Sequence, residues 1–129
     1  MPSTLISIRR PRPPEERAAI IEAVQSALIE GIKIPAQDRC VRLQQFEATD
    51  FAVGPGRTEN FTLVEVSMFS GRTLPAKRAL YQAIVANLGH LGIAPGDVKI
   101  ILYEVPRENW GLRGGVPGSE IDLGFKVEV

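Results

Sequence analysis

Apolar positions along the chain fall into two alternating rhythms, one for strands and one for helices. Leu5, Ile6 and Ile8 form a short run rich in branched residues, which predicts a first strand over Thr4–Arg9. The segment Arg10-Pro11-Arg12-Pro13-Pro14 cannot extend it, because proline lacks the ladder donor and fixes φ. Pro13 or Pro14 suits a first helical position, and Glu15 and Glu16 set negative charge beside that helix N-terminus. Ile20, Ile21, Val24, Ala27 and Leu28 then recur at three- and four-residue steps, the pattern of an amphipathic helix ending near Gly31. A turn at Pro35-Ala36-Gln37-Asp38 leads into a second strand at about Cys40–Phe46. Residues 48–60, with Gly54-Pro55-Gly56, read as a loop or irregular connection. Strand three is expected over Phe61–Phe69. After the turn Ser70-Gly71-Arg72-Thr73, with Thr73 as N-cap, a second helix carries the stripe Leu80, Tyr81, Ile84, Leu88 and Leu91. Asp97 precedes strand four, Val98–Val105, as Asp38 precedes strand two. Glycine and proline crowd residues 106–118, a loop at the surface or at an interface, and the alternation over Ile121–Val129 predicts a last strand.

The strand, turn and helix at the start occur twice. Ile6–Leu28 and Val66–Leu88 align without a gap, bringing Ser7 onto Ser67, Arg12 onto Arg72, Arg17 onto Lys77 and Leu28 onto Leu88. Because the turn chemistry repeats along with the helix, duplication is the better explanation than chance similarity between amphipathic helices. The same register sets Pro2 against Thr62, so the halves differ at their first residue. The expected fold is α+β: a duplicated β-α-β in which repeats of about 2–47 and 61–105 build one domain spanning 1–129. A four-stranded sheet carries both helices on one face, with a C-terminal strand added. Leu63, Val64 and Val66, and Ile100, Ile101 and Leu102, make strands three and four apolar on both sides, so both sheet faces should be covered. A second copy of the chain would cover the open face, or the C-terminal strand and loop would do so.

Bulk properties narrow the setting. Hydrophobic residues make up 44% and charged residues 23%, which excludes a disordered chain, and fifteen basic side chains cancel fifteen acidic ones. With no net charge and no basic run, neither nucleic acid nor an anionic membrane is an expected partner. Cys40 is the only cysteine, so no intrachain disulfide is possible and a reducing, cytoplasmic setting is expected.

The usual catalytic vocabulary is sparse. His90 stands at the end of the second helix and reads as a cap or solvent group, and Cys40 reads as a buried structural thiol. No Cys/His ligand spacing, phosphate-cradling glycine fingerprint or nucleophile elbow is present. The remaining titratable group is less obvious. If Met1 is removed, Pro2 becomes a secondary amine with a reference pKa of about 7.7–8.0, which burial lowers further. Proton abstraction beside a carbonyl needs such a base.

Pro2 heading a strand, Arg12 at the strand–helix turn and a duplicated unit carrying Gly71-Arg72-Thr73 resemble the tautomerase superfamily, whose members use an amino-terminal proline. The resemblance extends over Ile34-Pro35-Ala36-Gln37-Asp38-Arg39, Ser70–Thr73 with Lys77, Leu80 and Tyr81, and Val105–Gly111, and is closest to the long-chain branch that includes malonate semialdehyde decarboxylase. It implies Pro2 as general base or acid and Arg72 as the group that holds a carboxylate or polarises a carbonyl. Asp38 matches a water-positioning carboxylate, or is a turn aspartate capping backbone amides. Trp110 matches an aromatic wall, or anchors the core. Arg12 belongs to a degenerate second pocket or to the surface, and Arg113 is a further candidate from the glycine-rich loop. The resemblance implies a small 2-oxo or enol carboxylate as substrate, keto–enol tautomerisation or hydration with decarboxylation as the reaction, a homotrimer, and no metal or organic cofactor. A ligand-binding or scaffold protein on the same fold is the alternative from another class.

Overall fold

The computed structural model describes residues 2–124. In chain order the main elements are β1 (Ser3–Ile8), α1 (Pro14–Ile32), β2 (Val41–Gln45), β3 (Thr62–Phe69), α2 (Leu74–Gly89) and β4 (Val98–Val105). A small hairpin follows, made of β5 (Gly111–Leu112) and β6 (Val116–Pro117). The four long strands form one sheet in the order β2-β1-β3-β4, with β1 parallel to β2 and β3 parallel to β4. The repeats meet through the antiparallel β1–β3 pair, in which Leu5 lies opposite its own repeat mate Glu65, so a local two-fold axis passes between them.

Local chemistry explains the element ends. Pro13 is the extended N-cap of α1 and Pro14 its first residue, while Lys33 closes the helix at φ 58 with its amide donating to the Ile29 carbonyl. Thr73 caps α2, its hydroxyl accepting from the Ala76 amide at 3.2 Å. Ile20, Val24, Leu28, Leu80, Ile84 and Leu88 pack with Ile6, Ile8, Val64 and Val66 into one core between helices and sheet. Gly31 lets the helices touch: a Cβ there would lie 2.6 Å from the Leu80 Cα.

Three expectations need correction. Leu91 is not on the buried stripe of α2, because the helix stops at Gly89 and the chain turns through Gly92 at φ 86; Leu91 is exposed and Ile93 takes the core position. Tyr81 is only half-buried. The last strand does not begin at Ile121: residues 121–124 contain bends and no strand, and 125–129 lie outside the described residues. Among the described residues, covering of the second sheet face is partial. Phe46, Phe51 and Phe61 stack edge-on at one end and Trp110 on Phe69 at the other, leaving Leu5, Leu63, Ile101 and Tyr103 less covered between them.

Candidate active site

Pro2 is buried just ahead of β1. The Thr4 amide donates to the Cys40 carbonyl at 2.9 Å and the Ser3 hydroxyl lies 3.7 Å from the Cys40 sulfur, so Pro2 stands just ahead of the parallel β1–β2 pairing, which begins at Thr4–Val41. A cavity of about 310 Å³ opens beside the α1–β2 connection, and Pro2 is not among its lining residues. Pro35, Gln37 and Asp38 from the α1–β2 connection form one wall, and Leu112, Arg113, Ile121 and Leu123 from the C-terminal segment form the other. The sequence names Asp38 and Arg113 as separate candidates, and the fold brings them to one space.

The Asp38 turn is fixed from two sides. Its amide donates to the Pro35 carbonyl at 3.0 Å, and its carbonyl accepts from the buried amide of Gln25 at 2.9 Å. Sequence reading passed over Gln25, although a polar residue at the apolar step between Ile21 and Leu28 is a legible sign of a buried task. Arg113 stands at φ 47 in the turn that joins β5 to β6, where the Gly115 amide donates to the Leu112 carbonyl at 3.0 Å.

Neither Arg72 nor Arg12 lines this cavity. Arg72 is buried, and among its contacts Nη1 donates to the Ile32 carbonyl at 2.5 Å, satisfying the end of α1; it is not among the residues lining the cavity. Its repeat mate Arg12 lines a separate cavity of about 70 Å³ with Glu16 and Leu91, and its Nη2 donates to Asn60 Oδ1 at 3.1 Å. Burial and the nearby Arg10 pull the Arg12 pKa down, against the opposing charge of Glu16. Asp97, the counterpart of Asp38, accepts from the Thr58 amide at 2.8 Å and hydroxyl at 2.6 Å. In the second repeat, therefore, Thr58 and Asn60 engage Asp97 and Arg12, the counterparts of Asp38 and Arg72.

Trp110 packs edge-on against Phe69 with centroids 5.3 Å apart, and its indole donates to the Val105 carbonyl at 3.2 Å. It supports the C-terminal wall from behind and is not a lining residue. Cys40 is exposed, contrary to the buried thiol expected: strand alternation turns it, with Arg42 and Gln44, away from the helices on an edge strand. His90 is the exposed C-cap of α2. Among the described residues no group of three or more His, Cys, Asp or Glu could hold a metal ion, and no helix is long and apolar enough to cross a membrane.

Comparison with known proteins agrees with this architecture. The family described as "Tautomerase enzyme" matches residues 38–113. The chain is 26% identical over 121 residues to the protein named "Probable tautomerase YusQ" of Bacillus subtilis, covering 89% of this chain and 95% of that protein. It is 45% identical over 62 residues to "Probable tautomerase RSp0893" of Ralstonia nicotianae, covering 44% of this chain and 81% of that protein. A crystal structure of the FG41 malonate semialdehyde decarboxylase inhibited by 3-bromopropiolate superposes with a TM-score of 0.82 at 30% identity, over 89% of this chain and 92% of the other. A fused 4-OT symmetric trimer gives 0.80 at 26% identity, over 90% and 95%. The chain belongs to the tautomerase family.

Proposed function

We propose that the protein is a keto–enol tautomerase for a small 2-oxo or enol carboxylate, working after removal of Met1. The observation that carries this reading is the buried Pro2, two residues ahead of the Thr4–Val41 start of the β1–β2 pairing, at the end of the sheet to which the Asp38 turn leads. The freed secondary amine accepts the proton of the enol oxygen and returns a proton to the adjacent carbon, and burial keeps it unprotonated near neutrality. Arg72, buried against the end of α1, contributes fixed positive charge, which favours the enolate as negative charge develops on oxygen. Asp38 and Arg113 orient the substrate from opposite walls, and no cofactor takes part.

A second reading, hydration followed by decarboxylation of a 3-oxo acid, is favoured by the carboxylate of Asp38 in the cavity and by the 30% identity to the FG41 decarboxylase. Assay of phenylpyruvate enol and malonate semialdehyde separates the two, since turnover of the second alone rejects the first. Intact mass of the protein from its own host should show Met1 absent, and Pro2→Ala should then lower kcat at least a hundredfold without loss of folded protein. A chain that keeps Met1 in every molecule leaves only the ligand-binding alternative. The assembly we infer is a homotrimer, by analogy with the fused 4-OT trimer, built through the open sheet face.

A further inference from the structure

Among the buried residues described in α1, Gln25 alone has a polar side chain; it is 2% exposed and sits one turn from the apolar Ile21 and Leu28. A buried amide is costly there. Its Nε2 donates to the Asp38 carbonyl at 2.9 Å, while Oε1 is buried with no hydrogen-bond partner among the described residues. Packing alone would select methionine or leucine, so the donor is what this position retains. The second repeat supplies the contrast. Val85 takes the place of Gln25 when Ile6–Leu28 is laid on Val66–Leu88, and the turn before β4 is tied instead through Asp97, whose oxygens accept from the Thr58 amide at 2.8 Å and hydroxyl at 2.6 Å. Both Asp97 oxygens are thereby committed to the fold. In the first repeat the tie from α1 goes to the main chain of Asp38, so it fixes that residue without drawing on its carboxylate, and Asp38 lines the cavity.

We propose that Gln25 is a positioning residue for the reaction: its amide, set in the middle of α1, anchors the Asp38 carbonyl and so decides where the Asp38 side chain stands in the cavity wall. The proposal rests on the reading of Asp38 as a group that orients the substrate, and it adds the residue that acts through it. The Asp38 amide on the Pro35 carbonyl and the Gln25 amide on the Asp38 carbonyl hold this residue's main chain from both sides. Removing the second tie lets the turn shift, and a displacement of about 1 Å in an orienting group costs up to about a hundredfold in rate.

Gln25→Met keeps the length of the side chain and removes its amide, so it tests the donor with little change in packing. In the full chain, kcat for whichever of phenylpyruvate enol and malonate semialdehyde the parent turns over should fall about tenfold or more, with KM changed by less than about threefold. In the Asp38→Asn background the same substitution should change kcat by less than about twofold, because a residue that acts only through Asp38 adds nothing once Asp38 is altered. Hydrogen exchange of the Asp38 amide, read by NMR, should quicken about threefold or more in Gln25→Met. If that variant melts too low for assay, Gln25→Leu gives the same comparisons. Losses that multiply in the double variant, an unchanged kcat, an unchanged exchange rate, or a parent inactive on both compounds overturns the proposal. Failure of the tautomerase reading looks different: the parent then acts only on malonate semialdehyde, or Pro2→Ala keeps its activity, while the Gln25 and Asp38 effects still do not multiply.

Discussion

Asp38 and Asp97 occupy equivalent turns ahead of β2 and β4, and their neighbours alone make one a cavity residue and the other a structural tie. Burial pulls the Asp97 carboxyl up, but the Thr58 hydroxyl and amide and the charges of Arg57 and Arg9 outweigh it, leaving its pKa below the ordinary aspartate value. The unfolded chain, with an aspartate near 3.9, therefore takes up the proton first as pH falls. The stabilisation is present in full above about pH 4 and is lost as the pH drops through the lower folded value. Urea unfolding between pH 2 and 7 should show the parent losing stability with acid more steeply than Asp97→Asn. At neutral pH the variant should be weaker by about 2 kcal/mol, since it gives up charge-assisted bonds to Thr58. Parallel pH curves for the two proteins would remove Asp97 from this role.

At the scale of elements, the contact of α1 with α2 depends on the missing side chain at Gly31. An added methyl would meet the Leu80 Cα at 2.6 Å and its nitrogen at 2.8 Å, which are backbone atoms and do not swing aside. Gly31→Ala should cost about 2–3 kcal/mol through overpacking, visible as a clear drop in Tm. Gly89→Ala, in the last turn of α2 with nothing within 4 Å of the new methyl, should instead leave Tm unchanged or raise it slightly. Boundaries of this kind were largely legible in the sequence: β4 coincides with the run Val98–Val105, and β1, α1 and β3 match their patterns to within a residue or so. Strong periodicity and proline or threonine at the starts act locally, so a local reading finds them. What escaped reading depends on distant partners. Leu91 fits the helical period yet lies beyond the helix end, and Cys40 is exposed because β2 is an edge strand. The meeting of Asp38 with Arg113 requires the C-terminal segment to fold back over the α1–β2 connection, which no spacing in the chain encodes. Trp110 had two readings, and its indole bond to Val105 and contact with Phe69 give it a packing task.

For the whole molecule, the open sheet face is the unfinished part. Phe61 and Phe69 are buried at its two ends, while Leu5, Leu63 and Ile101 are half-exposed in its middle and Tyr103 is 45% exposed with its hydroxyl donating to Glu65 at 2.7 Å. Half-exposed Leu5, Leu63 and Ile101 around a Glu65 that is bonded to Tyr103, with the ends already covered, suit an assembling face with a mixed centre, because only that centre remains to be desolvated. A homotrimer formed there should sediment at three times the monomer mass at micromolar concentration. Ile101→Glu sets a charge in the middle of the face, pointing away from the helices, so the fold of a single chain should survive while assembly fails. Sedimentation equilibrium should then read the monomer mass, with helical circular dichroism unchanged and a lower Tm from the lost linkage between folding and association. A parent protein that sediments as a monomer over the same range would overturn the homotrimer, and an Ile101→Glu variant that remains trimeric would place the interface elsewhere.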